Sequence, residues 1–172
     1  YDRLVRLARD ANMNILRCWG GGIFEPEAFW DACNRYGIMI SQDFLLACAE
    51  YPEDDEEFLE QMDIEIRSGI KALRNHPSLV FWSGDNELAM NHAPDDNYPG
   101  KTLCSVVTEV ACKELDPHRP FRKTSPYGGD KNNSPDAGDC HISPWYDPEF
   151  IYSDMRDYQE RIADFTGRFI SE

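Results

Sequence analysis

Two glutamates stand at the C-terminal ends of short apolar runs. Ser78-Leu79-Val80-Phe81-Trp82-Ser83-Gly84-Asp85-Asn86-Glu87 is one, and Arg168-Phe169-Ile170-Ser171-Glu172 is the other. A pair of carboxyls delivered on strands suits the hydrolysis of an acetal: one gives a proton to the departing oxygen, and the other, ionised, attacks the carbon. Where configuration at a sugar's anomeric carbon is retained, the two carboxyls stand roughly 5–5.5 Å apart. The donor must stay protonated near neutral pH, which takes burial or a neighbouring negative charge. The attacker must be ionised, which takes hydrogen-bond donors or a cation, and Arg17, closing an earlier apolar run, is the candidate. In a regular strand residues 85 and 87 point to the same side. A charged Asp85 would then hold Glu87 protonated to higher pH.

Helices and strands alternate between and before these residues. Leu4, Val5, Leu7, Ala8 and Ala11 form the apolar stripe of a first helix, followed by a strand over Met13 to Trp19 and a Gly20-Gly21-Gly22 loop. Pro26 suits the first turn of a second helix that carries Phe29, Trp30 and Cys33 and ends near Gly37. A strand follows over Ile38 to Phe44. Phe58, Met62, Ile66, Ile70 and Leu73 then mark a long helix by near-constant i+4 spacing. Leu79 to Ser83 is a strand, Leu103 to Val110 a helix, Arg119 to Thr124 a weaker strand, and Cys140-His141-Ile142 a shorter one. Ile151, Met155, Tyr158, Ile162 and Phe165 make a last helix before the run that ends at Glu172. This rhythm implies parallel pairing with right-handed crossovers. Both an open doubly wound sheet and part of an eight-stranded barrel fit it. Polar residues cluster after successive strands, where a βα barrel builds its site, and no dinucleotide or phosphate-loop fingerprint is present. The expected fold class is therefore α/β, a partial (β/α)8 barrel.

The 172 residues carry 17 basic and 32 acidic side chains, a net charge of −15. That balance disfavours nucleic acid and anionic membranes as partners, and no run of about 18 apolar residues could cross a bilayer. Asp54-Asp55-Glu56-Glu57 reads as a solvated helix start favoured by the N-terminal dipole, with a calcium site as the alternative. Cys18, Cys33, Cys48, Cys104, Cys112 and Cys140 show no CxxC pair and are read as free, packed thiols. His76, His92 and His118 have no metal-ligand spacing, so no metal is expected. The chain begins inside an amphipathic pattern and ends on a strand, which suggests an internal slice of a longer polypeptide with no internal domain boundary.

Several segments carry a resemblance to a known family. Asn12-Met13-Asn14-Ile15-Leu16-Arg17-Cys18-Trp19-Gly20-Gly21-Gly22-Ile23-Phe24-Glu25-Pro26 resembles the second-strand motif of family 2 β-mannosidases. Gln42-Asp43-Phe44 with Tyr51-Pro52 resembles the segment after their third strand, and Asn75-His76-Pro77-Ser78-Leu79 through Glu87 their acid/base strand. Ser125-Pro126-Tyr127-Gly128-Gly129 and Gly138-Asp139-Cys140-His141 resemble the fifth and sixth strands, and Arg168 to Glu172 the nucleophile strand. The resemblance implies the second to seventh strands of the barrel. The first and last barrel strands and the β-sandwich domains would lie elsewhere in the parent polypeptide.

The implied activity is that of a retaining exo-β-mannosidase acting on a glycoside or oligosaccharide without a cofactor. An exo-β-glucosaminidase or β-galactosidase could carry the same carboxylates, and a non-catalytic sugar-binding barrel is the reading from another class. Glu87 takes the acid/base role, Glu172 that of nucleophile, and Asn86 that of a partner for the sugar 2-hydroxyl. Trp19 and Trp145, near strand ends, are candidates for stacking on sugar faces, whereas Trp82 and Trp30 are read as core. Asp43 and His141 are expected to line the pocket. The chain departs from the family in having Asp85 where relatives commonly have Asn. Ile142-Ser143-Pro144 also comes before Trp145-Tyr146, where aromatics tend to follow the His directly.

Overall fold

A computed structural model describes residues 1–93, 96–142, 160 and 167–172. Trp145 and the helix expected over Ile151 to Phe165 lie outside the described residues. Four parallel strands form one sheet, β1 (Ile15–Cys18), β2 (Met39–Asp43), β3 (Leu79–Ser83) and β4 (Phe121–Arg122), in the spatial order β1-β2-β3-β4. A doubly wound sheet reverses its strand order at a switch point. Here each strand lies beside its predecessor, as in a barrel wall.

Helix α1 (Asp2–Asp10) precedes β1, and α2 (Glu27–Tyr36), α3 (Glu56–Leu73) and α4 (Glu109–Leu115) make the crossovers. Pro26, with φ −69° and ψ 160°, holds the N-cap of α2, and Gly37 ends it in the left-handed region at φ 72°. That conformation suits glycine because it has no Cβ to clash. Asp55 caps α3, its side chain accepting from the N–H groups of Glu57 and Phe58 at 3.0 and 3.2 Å. The acidic run 54–57 is thus a helix start, as its composition suggests. Ile66, Ile70 and Leu73 of α3 are buried against the sheet, each contributing roughly 1.5–3 kcal/mol by leaving water.

Trp82 is fully buried. Its ring stacks on Phe44 at 5.1 Å, and its Nε1 donates to Asp116 at 2.9 Å, so it belongs to the core. Trp30, also fully buried, donates to the Glu25 carbonyl. All six cysteines are free, and five are buried; Cys48 is exposed. Among the described residues, no helix is long and apolar enough to cross a membrane.

Two local features differ from the sequence expectation. The helix expected over 103–110 begins as a π-helical stretch, Leu103–Thr108, before continuing as α4. There the Thr108 hydroxyl donates to the Leu103 carbonyl at 2.7 Å. The later strands are also shorter than their apolar runs. Only Phe121–Arg122 pairs as β4, and Cys140 and Ile170 meet in a single parallel bridge. Nearby backbone groups are spent elsewhere: the His141 N–H goes to the Asn133 side chain at 2.6 Å and the Arg168 N–H to the Pro135 carbonyl at 3.2 Å.

Candidate active site

Every described candidate lies at or just beyond the C-terminal end of a strand or bridge, on the same edge of the sheet. β1 carries Arg17 and β2 ends on Asp43. The segment after β3 continues through Asn86, which bridges to Ala47 on one side and Ser125 on the other. His141 and Glu172 flank the Cys140–Ile170 bridge. Residues remote in sequence are brought together by register alone.

Arg17 is the hub. Its Nη1 donates to Glu172 Oε2 at 2.7 Å, and its Nη2 to Asp43 Oδ2 and to Asn86 Oδ1, both at 2.7 Å. Its Nε reaches Asp43 Oδ1 at 3.3 Å. Burial works against the guanidinium charge, but Asp43 and Glu172 outweigh it and raise the Arg17 pKa. Asp43 is fully buried and also accepts from the Gly20 N–H at 3.2 Å. Burial pushes its carboxyl up to about 7, against the opposing pull of Arg17 and Gly20. A side chain on Gly20 would collide with the carbonyls of Leu46 and Phe44, which is why the loop after β1 can close over Asp43.

Glu87 sits in the left-handed region at φ 67°, a conformation costing a non-glycine residue roughly 1–2 kcal/mol. Its N–H donates to the Ser125 carbonyl at 2.8 Å. The next N–H, that of Leu88, donates to Asp85 Oδ1 at 3.1 Å. This turn breaks the strand pleat, so Asp85 and Glu87 do not share a side. Asp85 is fully buried and faces Cys104 Sγ at 2.6 Å and Thr124 Oγ1 at 2.5 Å. Glu87 faces His141 Nδ1 at 2.8 Å through Oε1 and Cys48 Sγ at 3.2 Å through Oε2. Burial raises the Glu87 pKa, but the hydrogen bonds from His141 and Cys48 prevail and leave it below the ordinary carboxylate value. The expectation that Asp85 holds Glu87 protonated is therefore corrected: the two carboxyls are turned into different surroundings.

His141 joins the two glutamates, its Nδ1 also lying 3.7 Å from Glu172 Oε2. Its Nε2 is 3.0 Å from Ser125 Oγ. The Ser125 hydroxyl donates to Asp139 Oδ2 at 2.7 Å, as does that of Ser171 at 2.8 Å. With its one hydrogen committed to Asp139, Ser125 accepts from Nε2–H, a tautomer assigned by counting donors. Nδ1 and Glu87 then share a single proton, which can sit on either atom. Glu87, His141 and Glu172 each present a ligand atom within 4.8 Å of the other two, so the paired carboxyls stand close enough to act on one carbon. That trio could also hold a divalent cation.

Trp19 lies at the end of β1, half exposed, with its ring over Gly21. Asn86 is buried, its amide nitrogen donating to Cys48 Sγ at 3.1 Å. Sequence reasoning did not single out Cys48, Ser125, Asp139 or Ser171. Ser125, Asp139 and Ser171 lie within the segments that carry the family resemblance, whereas Cys48 was read only as a packed thiol.

A parallel sheet in sequential order, with polar groups converging beyond its C-terminal edge, is the arrangement of a βα-barrel wall with a site at its mouth. The chain belongs to the glycosyl hydrolases family 2, TIM barrel domain, which residues 24–162 match. The beta-mannosidase of Capra hircus is 36% identical over 185 aligned positions, which cover 98% of this chain and 20% of that protein. Beta-mannosidase B of Thermothelomyces thermophilus is 32% identical over 189 positions, covering 100% of the chain and 21% of that protein. Among solved structures, the beta-D-mannosidase of Dictyoglomus thermophilum is 40% identical with a TM-score of 0.82, covering 98% of this chain and 21% of that one. A Bifidobacterium dentium beta-glucuronidase, at 20% identity and a TM-score of 0.58, shares the fold. The chain thus spans about one fifth of the length of the relatives it matches.

Proposed function

We propose that this chain is part of the catalytic barrel of a retaining exo-β-mannosidase that releases terminal β-mannose. The observation that carries the reading is the approach of Glu87 and Glu172, whose carboxylate oxygens come within 4.8 Å. That closeness suits direct attack, since an inverting pair leaves room for a water at roughly 6.5–9.5 Å. The names of the most similar relatives support mannose as the sugar.

In this reading Arg17 keeps Glu172 ionised and aimed, and Glu172 attacks the anomeric carbon to form a covalent glycosyl-enzyme. The proton shared by Glu87 and His141 passes from Glu87 to the leaving oxygen. The negative charge of Glu172 opposes ionisation of Glu87 before attack, against the hydrogen bonds from His141 and Cys48 that favour it. Once the ester forms that charge is gone, so Glu87 becomes the base that takes a proton from water. Asn86, fixed between Arg17 and Cys48, presents its amide towards the sugar 2-hydroxyl. Trp19 and Trp145 are the candidate stacking surfaces. Flanking domains and the remaining barrel units of the parent polypeptide complete the enzyme.

The test is to trap the full-length parent protein with 2-deoxy-2-fluoro-β-mannosyl fluoride and map the adduct. Labelling of Glu172 is expected, and a label on another residue, or none while hydrolysis continues, refutes the assignment. Across a panel of aryl β-glycosides the mannoside should turn over fastest, and faster turnover of another sugar would displace mannose.

A further inference from the structure

Asp139 is a buried carboxylate with no place in the reaction proposed above. Each of its oxygens accepts hydrogen bonds. Oδ1 takes one from Arg122 Nη1 at 2.8 Å and one from the Tyr127 N–H at 3.0 Å. Oδ2 takes the hydroxyls of Ser125 and Ser171 at 2.7 and 2.8 Å. The Arg122 guanidinium also lies over the Phe81 ring, 5.2 Å from its centre, so the cation beside Oδ1 is held in place.

An ionised carboxylate has only acceptors to offer. Both hydroxyls therefore turn their single hydrogens to Oδ2, although Ser125 Oγ also lies 3.3 Å from Ser171 Oγ and 3.0 Å from His141 Nε2. Ser125 is left with lone pairs facing Nε2. Nε2 then carries the imidazole hydrogen, and Nδ1 keeps a lone pair for Glu87. The opposite polarity would disable the acid. With the hydrogen on Nδ1, Glu87 Oε1 would accept from His141 while Oε2 accepts from Cys48. A glutamate met by donors at both oxygens stays ionised.

We infer that Asp139 is a positioning residue for the acid step: by orienting the Ser125 hydroxyl it sets the His141 tautomer that lets Glu87 hold a transferable proton. The inference rests on the glycosidase reading above. Asp139 acts through Ser125 and His141 rather than on the sugar, and on one half of the reaction only. In the second half Glu87 takes a proton from water as a carboxylate, which either tautomer allows. Asp139→Asn reverses the chain with little change of shape. The amide oxygen replaces Oδ1 beside Arg122 and Tyr127, and the amide nitrogen stands where Oδ2 was and donates to Ser125. The freed Ser125 hydrogen turns to His141 Nε2, and the imidazole hydrogen moves to Nδ1.

Two substrates isolate the acid step in the full-length parent enzyme. Phenyl β-mannoside needs a proton on its departing oxygen, whereas 2,4-dinitrophenyl β-mannoside releases a stabilised phenolate without one. In Asp139→Asn the ratio of kcat/KM for the phenyl substrate to that for the dinitrophenyl substrate should fall by about 100-fold or more, the scale of general-acid catalysis. General damage to the barrel lowers both together and leaves the ratio alone. Adding Ser125→Ala removes the reversed hydroxyl and should restore most of the ratio. An unchanged ratio in Asp139→Asn, or no recovery in the double variant, overturns the inference. Neutron diffraction from deuterium-exchanged crystals of the unmodified parent reads the chain without any variant. Deuterium on Nε2, and on Ser125 Oγ towards Asp139, is expected; a Ser125 deuterium aimed at Nε2 overturns the inference even if Asp139→Asn does not fold. Failure of the unmodified enzyme to hydrolyse either mannoside would instead overturn the underlying mannosidase reading, and the role of Asp139 with it.

Discussion

Asp85→Asn isolates the most unusual group near the site. The Asp85 carboxyl is fully buried and accepts from Cys104, Thr124 and the Leu88 N–H. Burial nevertheless raises its pKa from 3.8 to about 6. The folded chain therefore binds this proton more tightly than the unfolded chain does. The resulting stability is fully present below pH 3.8 and is lost as pH rises through about 6. That rise is worth roughly 3 kcal/mol, at about 1.36 kcal/mol for each tenfold change in proton affinity. Asparagine does not titrate, so this slope should vanish in the variant. Its amide also turns an acceptor into a donor, for a pH-independent loss of roughly 1–3 kcal/mol. The assay is the difference in barrel unfolding midpoint between the full-length parent protein and its Asp85→Asn variant, measured from pH 4 to pH 7. The variant should lose ground at pH 4 and recover most of it by pH 7; a constant difference would refute the assignment. Because Asp85 and Glu87 face different groups, the basic limb of the kcat/KM profile should coincide in the two proteins. A downward shift in the variant would mean that Glu87 does feel the Asp85 charge.

Arg17→Lys should leave the barrel folded yet lower kcat/KM by about 100-fold or more, because one ammonium cannot bind Asp43, Asn86 and Glu172 together. Less than a threefold loss in steady-state assays would remove Arg17 from the site. Ser125→Ala takes away the acceptor for His141 Nε2–H. It should weaken the His141 hydrogen bond to the ionised form of Glu87, moving the basic limb of the pH–rate profile upward. An unmoved limb would break the proposed link from Asp139 to Glu87.

Much of the framework was legible because it depends on local pattern. The i+4 apolar spacing from Phe58 to Leu73 foretold α3, Pro26 and Gly37 marked the ends of α2, and the run before Glu87 was a strand. The short final strands were less legible. Arg168 to Ile170 has the composition of a strand, but its backbone partners were fixed by Pro135 and Cys140, distant in sequence.

What the sequence alone determined is the alternation of helix and strand and the presence of carboxyls after the strands. Period and composition are properties of neighbours along the chain, so they survive without the fold. Tertiary structure decided which way those groups turn. The left-handed Glu87 backbone separated Asp85 from Glu87, and sheet register set Arg17 between Asp43, Asn86 and Glu172. The Asp139–Ser125–His141–Glu87 chain likewise exists only once four segments meet. A hydrogen bond needs a partner within about 3 Å, and no spacing along the polypeptide reports that distance.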